Sequence, residues 1–312
     1  MECSKINLKT YLLLLSLTLF CNIASAEIYK WTDNNGRIHF GDTPHENTAN
    51  KTKDLSKQYA QPARNFSVTV TAVNYDLPLD TERKIITAVT KTFLILNEYS
   101  NIPFKESTNI SVKIFGHQKE FIAYQKKHIS KVISKTGYYS PKDNQAIVWK
   151  NRNVKRMLSV ITHEAFHTIL WTNYKHMPNW LNEGFAEYFE LINVFGTTAV
   201  IELNDYWVRT VKAAIRQDAT PSLKYFINMN RTQWKELNKE SHLSYAMGWS
   251  LVYYLMSSKE GRKLIVELFK ERNENPEIMM SDIIKKHYPK GITQLQIYWE
   301  NWVFGKKTTH RY

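Results

Sequence analysis

Residues 154–171 contain neither Gly nor Pro, and Met157, Leu158, Ile161, Ala165 and Ile169 recur there at three- and four-residue steps, which predicts a buried helix. That helix carries His163-Glu164-Ala165-Phe166-His167. Residues four apart on a helix stack on one face, so His163 and His167 can direct two imidazole nitrogens at one ion, while Glu164 lies about 100° round, free to hold a water. A second helix is predicted to open at Pro178, a residue suited to a first turn, and to run through Trp180-Leu181-Asn182-Glu183-Gly184-Phe185-Ala186-Glu187 to Ile192. Leu181, Phe185, Tyr188 and Phe189 form its apolar stripe, and Glu183 and Glu187 share the opposite face one turn apart.

Packed together, the two helices offer two imidazoles and a carboxylate with one position open, the arrangement of catalytic rather than structural zinc. Glu183 is the preferred third ligand and Glu187 the alternative. With Glu183 on the metal, Glu187 can accept the spare ring N–H of a ligand histidine and fix its orientation. Glu190 is expected to be solvated, and Gly184 and Ala186 to let these two helices approach closely.

HEAFH with WLNEGFAEYFE resembles the gluzincin metallopeptidases, in particular the bacterial peptidase MA-like group. The resemblance extends over about residues 67–305 and implies an α+β, zincin-like domain, with a small sheet, the active-site helices and a helical C-terminal half. It implies one zinc per chain on His163, His167 and Glu183, with Glu164 as general base and Glu187 behind the ligands. By the same resemblance Tyr245, in the helix-like run 243–255, is the candidate oxyanion stabiliser, with His242 as its substitute. A loop followed by a strand, residues 136–150, precedes the zinc helix and would lie at the cleft edge, where an extended peptide can add by backbone hydrogen bonds. The G-x-M-E-N segment with which zinc aminopeptidases hold a free N-terminus does not occur in the sequence, which points to cleavage within a chain.

The N-terminus carries Lys5 and Lys9, the apolar run 11–20, and Ala24-Ser25-Ala26 as a cleavage site, the pattern of a secretory signal peptide over residues 1–26. The apolar core is too short for a comfortable membrane span. Both cysteines, Cys3 and Cys21, lie in this segment, so thiol catalysis and cysteine-ligated zinc are excluded from the processed chain.

Residues 27–46 read as a β-hairpin module around an Asn35-Gly36 turn. Their Y-K-W-x-D-x-x-G-x-x-H-F-x-D-x-P pattern, residues 29–44, resembles a small domain of unknown function that opens many Gram-negative envelope proteins. Residues 47–65 read as a polar linker, 66–305 as the peptidase-like domain and 306–312 as a tail. Within the domain a strand is predicted at 66–73, a helix at 80–100, strands near 110–115 and 145–150, and helices near 205–217, 241–257, 260–272, 276–287 and 292–303.

These readings converge on an exported metallopeptidase, periplasmic or secreted, acting on peptide or protein. The net charge of +13 suits acidic envelope polymer or a lipid surface as further partners. No nucleic-acid recognition motif is present. Two rivals stand beside it: a non-catalytic envelope-binding protein with a structural or decayed metal site, and a zinc amidohydrolase acting on cell-wall peptide.

Overall fold

The computed structural model describes residues 66–312 apart from 105, 106, 152 and 240, together with the backbone of three short strands nearer the N-terminus. The signal-peptide assignment and the Asn35-Gly36 turn lie outside the described residues. The chain divides into two compact units, Met1–Arg64 and Asn65–Tyr312.

In the first unit β1 (Tyr29–Thr32) pairs antiparallel with β2 (Ile38–Gly41), Tyr29 opposite Gly41 and Thr32 opposite Ile38, the register of the expected hairpin. Residues 47–65 are not wholly linker, however. β3 (Lys53–Asp54) pairs antiparallel with the other edge of β1, giving the order β2-β1-β3. A two-stranded ribbon leaves β1 with an unpaired row of amides and carbonyls, and a third strand satisfies part of it.

The second unit is α+β. Its larger sheet is mixed, in the order β4-β5-β7-β6. β4 (Phe66–Val73), β5 (Thr108–Phe115) and β7 (Gln145–Trp149) run parallel, and β6 (Gly137–Ser140) closes the edge antiparallel to β7. The parallel pair β4/β5 is connected through α1 (Leu79–Leu94), which ends in a π-helical turn, Ile95–Tyr99. α2 (Gln118–Ile129) lies against β5 and β7, its Phe121 packed with Phe115, Tyr138 and Ile147 in a small separate core.

The helix that carries His163 and His167 is α3 (Val154–Asn173), begun by Asn153, whose side chain accepts from the Arg156 amide. Its predicted stripe is inward: Met157, Ile161, Ala165 and Ile169 are buried, and Leu158 is half-buried at the rim of the core. α3 packs on α1, on β5 and on β7. α4 (Asn179–Glu190) follows Pro178 and buries Leu181, Phe185, Tyr188 and Phe189, with Phe166 of α3 stacked on Phe185 and Phe189 at 5.6 and 5.8 Å.

Gly184 does not serve the α3/α4 contact. A Cβ placed on it would stand 2.6 Å from the Gly248 carbonyl oxygen and 2.9 Å from a Val252 methyl, both on α8 (Leu243–Met256). The absent side chain therefore lets α4 lie directly on α8, a helix buried on nearly every face.

After α4 a hairpin of β8 (Ile192–Phe195) and β9 (Thr198–Ile201) leads into α5 (Asp205–Arg216), then α6 (Leu223–Ile227) and α7 (Arg231–Leu237). Beyond α8 come α9 (Lys259–Glu274), α10 (Met280–His287) and α11 (Gly291–Phe304). Gly261 sits in the first turn of α9, which Ser258 caps.

Residues 306–312 are not a tail. β10 (His310–Arg311) pairs antiparallel with β9. The Tyr188 hydroxyl hydrogen-bonds His310 Nδ1 at 2.7 Å and the Tyr312 hydroxyl at 2.5 Å, and Tyr253 donates to the Thr308 carbonyl. Buried tyrosines on α4 and α8 need polar partners, and the last residues of the chain supply them.

Candidate metal centre

α3 and α4 lie side by side, so the one-turn repeats on each present their polar faces to each other. Glu183 Oε2 stands 3.7 Å from His163 Nε2 and 3.8 Å from His167 Nε2. One donor atom from each of the three lies within 4.8 Å of the others. These separations are too long for hydrogen bonds, yet near the spacing of about 3.3 Å that tetrahedral donors take around a zinc ion about 2 Å away. Two imidazole nitrogens and a carboxylate oxygen, partly buried and open to a cleft, fit such an ion by donor chemistry as well.

The atoms behind the donors are held by neighbours. His167 Nδ1 contacts Asn182 Oδ1 at 2.9 Å; if this nitrogen carries the proton, Nε2 is left with its lone pair toward Glu183. His163 Nδ1 faces two carboxylates, Glu190 Oε2 at 3.4 Å and Glu187 Oε1 at 3.9 Å, but neither is aligned as a hydrogen-bond acceptor. Glu187 instead accepts from the Trp207 indole N–H at 2.8 Å, brought in by the first turn of α5. Glu190, expected to be solvated, is largely buried, and its other oxygen accepts from Arg156 Nη1 at 2.6 Å. Asn182, Arg156 and Trp207 were not singled out from sequence, and Glu190 was given no role there. Glu190 and Arg156 follow the helical repeat from Glu183/Glu187 and His163, a readable signal, whereas Trp207 arrives through tertiary packing alone.

The electrostatics favour positive charge at this point. Burial opposes an imidazolium at His163, yet Glu190, Glu164, Glu187 and Glu183 together overcome it and lift the pKa to about 10. The same carboxylates would favour a cation held between these side chains. Glu164 has its carboxyl raised, first by burial, with His163 and His167 acting against that and Glu183 and Glu190 adding to it. Burial also lifts Glu187, to about 6, against the pull of His163. For Glu190 burial is outweighed by His163 and Arg156, and its carboxyl is held below the ordinary range.

All of this opens into a cleft of about 700 Å³. It is lined by His163, Glu164, His167 and Glu183, by Tyr138 and Tyr139 of the edge strand β6, by Arg231, Trp234 and Lys235 of α7, and by Tyr245 of α8. The strand at the cleft edge is β6, not the β7 segment predicted near 145–150. Tyr245 packs edge-on against Trp234 at 5.6 Å. Burial first, then Glu183, Glu187 and Glu164, hold its phenol far above the ordinary value, so it keeps its proton to donate. His242 is exposed at the left-handed N-cap of α8, and does not line the cleft.

Two other groupings among the described residues bring three such donors together: His163 with Glu187 and Glu190, and Glu267 with Glu271 and His287. In each, a cation is already present, Arg156 on Glu190 and Lys286 on Glu271. Only the His163/His167/Glu183 set leaves its donors to each other and to the cleft.

Residues 15–67 match the family model of a domain of unknown function (DUF4124), and residues 157–277 that of a protein of unknown function (DUF1570). The second match spans His163, Glu164, His167, Glu183, Glu187, Glu190, Trp207 and Tyr245. No curated protein matches the chain. No helix among the described residues is long and apolar enough to cross a membrane.

Proposed function

We propose that this chain is an exported zinc-dependent peptidase of gluzincin type, its second unit a zincin-like domain that hydrolyses bonds within a peptide or protein chain. The observation that carries this reading is the meeting of His163 Nε2, His167 Nε2 and Glu183 Oε2 beside Glu164 on the floor of an open cleft. His163, His167 and Glu183 would hold one zinc ion. Bound there, zinc supplies Lewis acidity, lowering the pKa of a water toward neutrality and polarising a carbonyl oxygen.

The protein's own groups do the rest. Glu164, a carboxylate with a raised proton affinity, takes a proton from the attacking water and returns it to the departing amine. Tyr245 donates its hydroxyl proton in a hydrogen bond to the oxyanion that develops on the attacked carbonyl. Strand β6 offers backbone partners along one wall to an extended chain, and the side chains of the other wall orient it. Asn182, Glu190 and Trp207 keep the imidazoles and carboxylates in place between turnovers.

The leader-like N-terminus supports export to the periplasm or medium, and the hairpin unit a docking role at the envelope. Among the rivals, a purely structural metal site has no use for Glu164 on the cleft floor, which disfavours the non-catalytic reading. Purified processed protein should bind about one zinc per chain. His163→Ala and Glu183→Ala should lose it, and Glu164→Gln should keep it while hydrolysis falls by about three orders of magnitude or more. A Glu164→Gln variant as active as wild type would remove the mechanism, and a zinc-replete wild type that binds no metal would remove the enzyme.

A further inference from the structure

The part of the cleft lined by α7 is basic. Arg231 and Lys235 stand one turn apart on the same face of α7, Lys239 follows in the turn after it, and all three line the same cavity as His163, Glu164 and Glu183. Lys175, in the turn after α3, lines the same cavity. Among the described residues, the only carboxylates lining this cavity are Glu164 and Glu183, both assigned to the centre itself.

Two features separate this wall from an ordinary solvated helix face. First, α7 is held rigidly: Asn230 and Gln233 close a reciprocal cap at its start, and buried Trp234 packs between Phe226 and Tyr245 at 5.8 and 5.6 Å. The cations are thereby carried on the element that also supports Tyr245. Second, these cations line the same cavity as the proposed centre, and no carboxylate among the described residues pairs with Arg231 or Lys235. Lys239 is partly neutralised by Glu236 at 2.6 Å.

We infer that the cleft selects an acidic peptide, an extended chain whose aspartate or glutamate side chains face Arg231 and Lys235 while its backbone runs along β6. The inference rests on the peptidase reading for its chemistry and on this charge pattern for its substrate class. Edge-strand pairing on one wall favours a peptide over an anionic glycan, which has no amide ladder to offer. Cations lining a cleft focus their field on a bound chain, and because these are exposed their attraction is screened by salt.

The test uses the full zinc-loaded protein with three labelled peptide pools, glutamate- and aspartate-rich, neutral and lysine-rich. The same peptides are titrated by fluorescence anisotropy against Glu164→Gln. The acidic pool should be cleaved with kcat/KM about tenfold or more above the lysine-rich pool, a preference that shrinks as salt rises from about 20 mM to about 500 mM. The double reversal Arg231→Glu/Lys235→Glu should invert the preference while zinc content stays at the wild-type level, which shows the centre intact. Cleavage with no charge preference, or one that the double reversal leaves in place, overturns the inference and spares the peptidase reading. Failure to cleave any pool, with salt-sensitive binding of the acidic peptide to Glu164→Gln retained, sinks the peptidase reading and supports the basic cleft as a site for acidic peptide. Preferential binding of a polyuronate over acidic peptides overturns the peptide assignment.

Discussion

Glu190 Oε2 lies 3.4 Å from His163 Nδ1, closer than Glu187 Oε1 at 3.9 Å, and its second oxygen is fixed by Arg156 at 2.6 Å. Glu187, one turn from Glu183 and the acceptor anticipated from sequence, is held by Trp207. The support behind the first imidazole is therefore shared by two carboxylates, each with its own anchor.

Glu190→Ala should lower zinc affinity by about 10- to 100-fold, the cost seen when the group orienting a ligand histidine is lost. Competition with a chromophoric chelator measures it. Arg156→Ala should act in the same direction but less, because Arg156 reaches His163 only through Glu190. An unchanged affinity in Glu190→Ala would mean that Glu187 alone orients the ring.

Tyr245→Phe keeps the ring against Trp234 and removes the hydroxyl. Hydrolysis should drop by about 10²-fold in kcat with KM little altered, since the lost hydrogen bond is made to the transition state. Zinc content should stay at wild type. A change confined to KM would assign Tyr245 to substrate binding instead.

Gly184→Ala tests the α4/α8 contact. An alanine is worth about 1 kcal/mol more than glycine inside a helix, but its Cβ would meet the Gly248 carbonyl oxygen at 2.6 Å, a backbone atom with no freedom to turn aside. Overpacking of this kind costs about 1–3 kcal/mol, so net destabilisation is expected in thermal melts. Weakened zinc binding should accompany it, because Glu183 is the adjacent residue. A stabilised variant would show that the helices separate readily.

The closing strand should make the fold sensitive to acid. His310 is held neutral by burial and by Arg262, with its pKa lowered from 6.5 to about 4. The native state thus binds this proton less tightly than the unfolded chain. The His310 contribution is complete above pH 6.5, is lost as pH falls from 6.5 toward about 4, and levels off below that. A depression of this size is worth at most about 3 kcal/mol. Urea midpoints at about pH 7.5 and about pH 4.5 should show wild type losing its advantage over His310→Gln at the lower value. A gap that does not narrow would mean that the ring is already protonated in the folded state.

Most of the floor of the site was legible because it is local. His163, Glu164 and His167 are placed by one helical repeat, Glu183 and Glu187 by another, and Gly- and Pro-free periodicity marks where each helix runs. The strand at 66–73 and the last three helices were readable for the same reason. Short α7 was missed, since seven residues around a single buried Trp234 give no periodic pattern. With it went the basic wall.

What the sequence alone determined, then, is the set of donors on each helix face, a matter of backbone period that needs no knowledge of neighbours. Tertiary packing decided the remainder: which carboxylate stands behind His163, that Gly184 opens toward α8 instead of α3, and that residues 310–312 complete a sheet. These depend on distances between segments far apart in the chain, set by how buried surfaces interlock, and no local repeat encodes them.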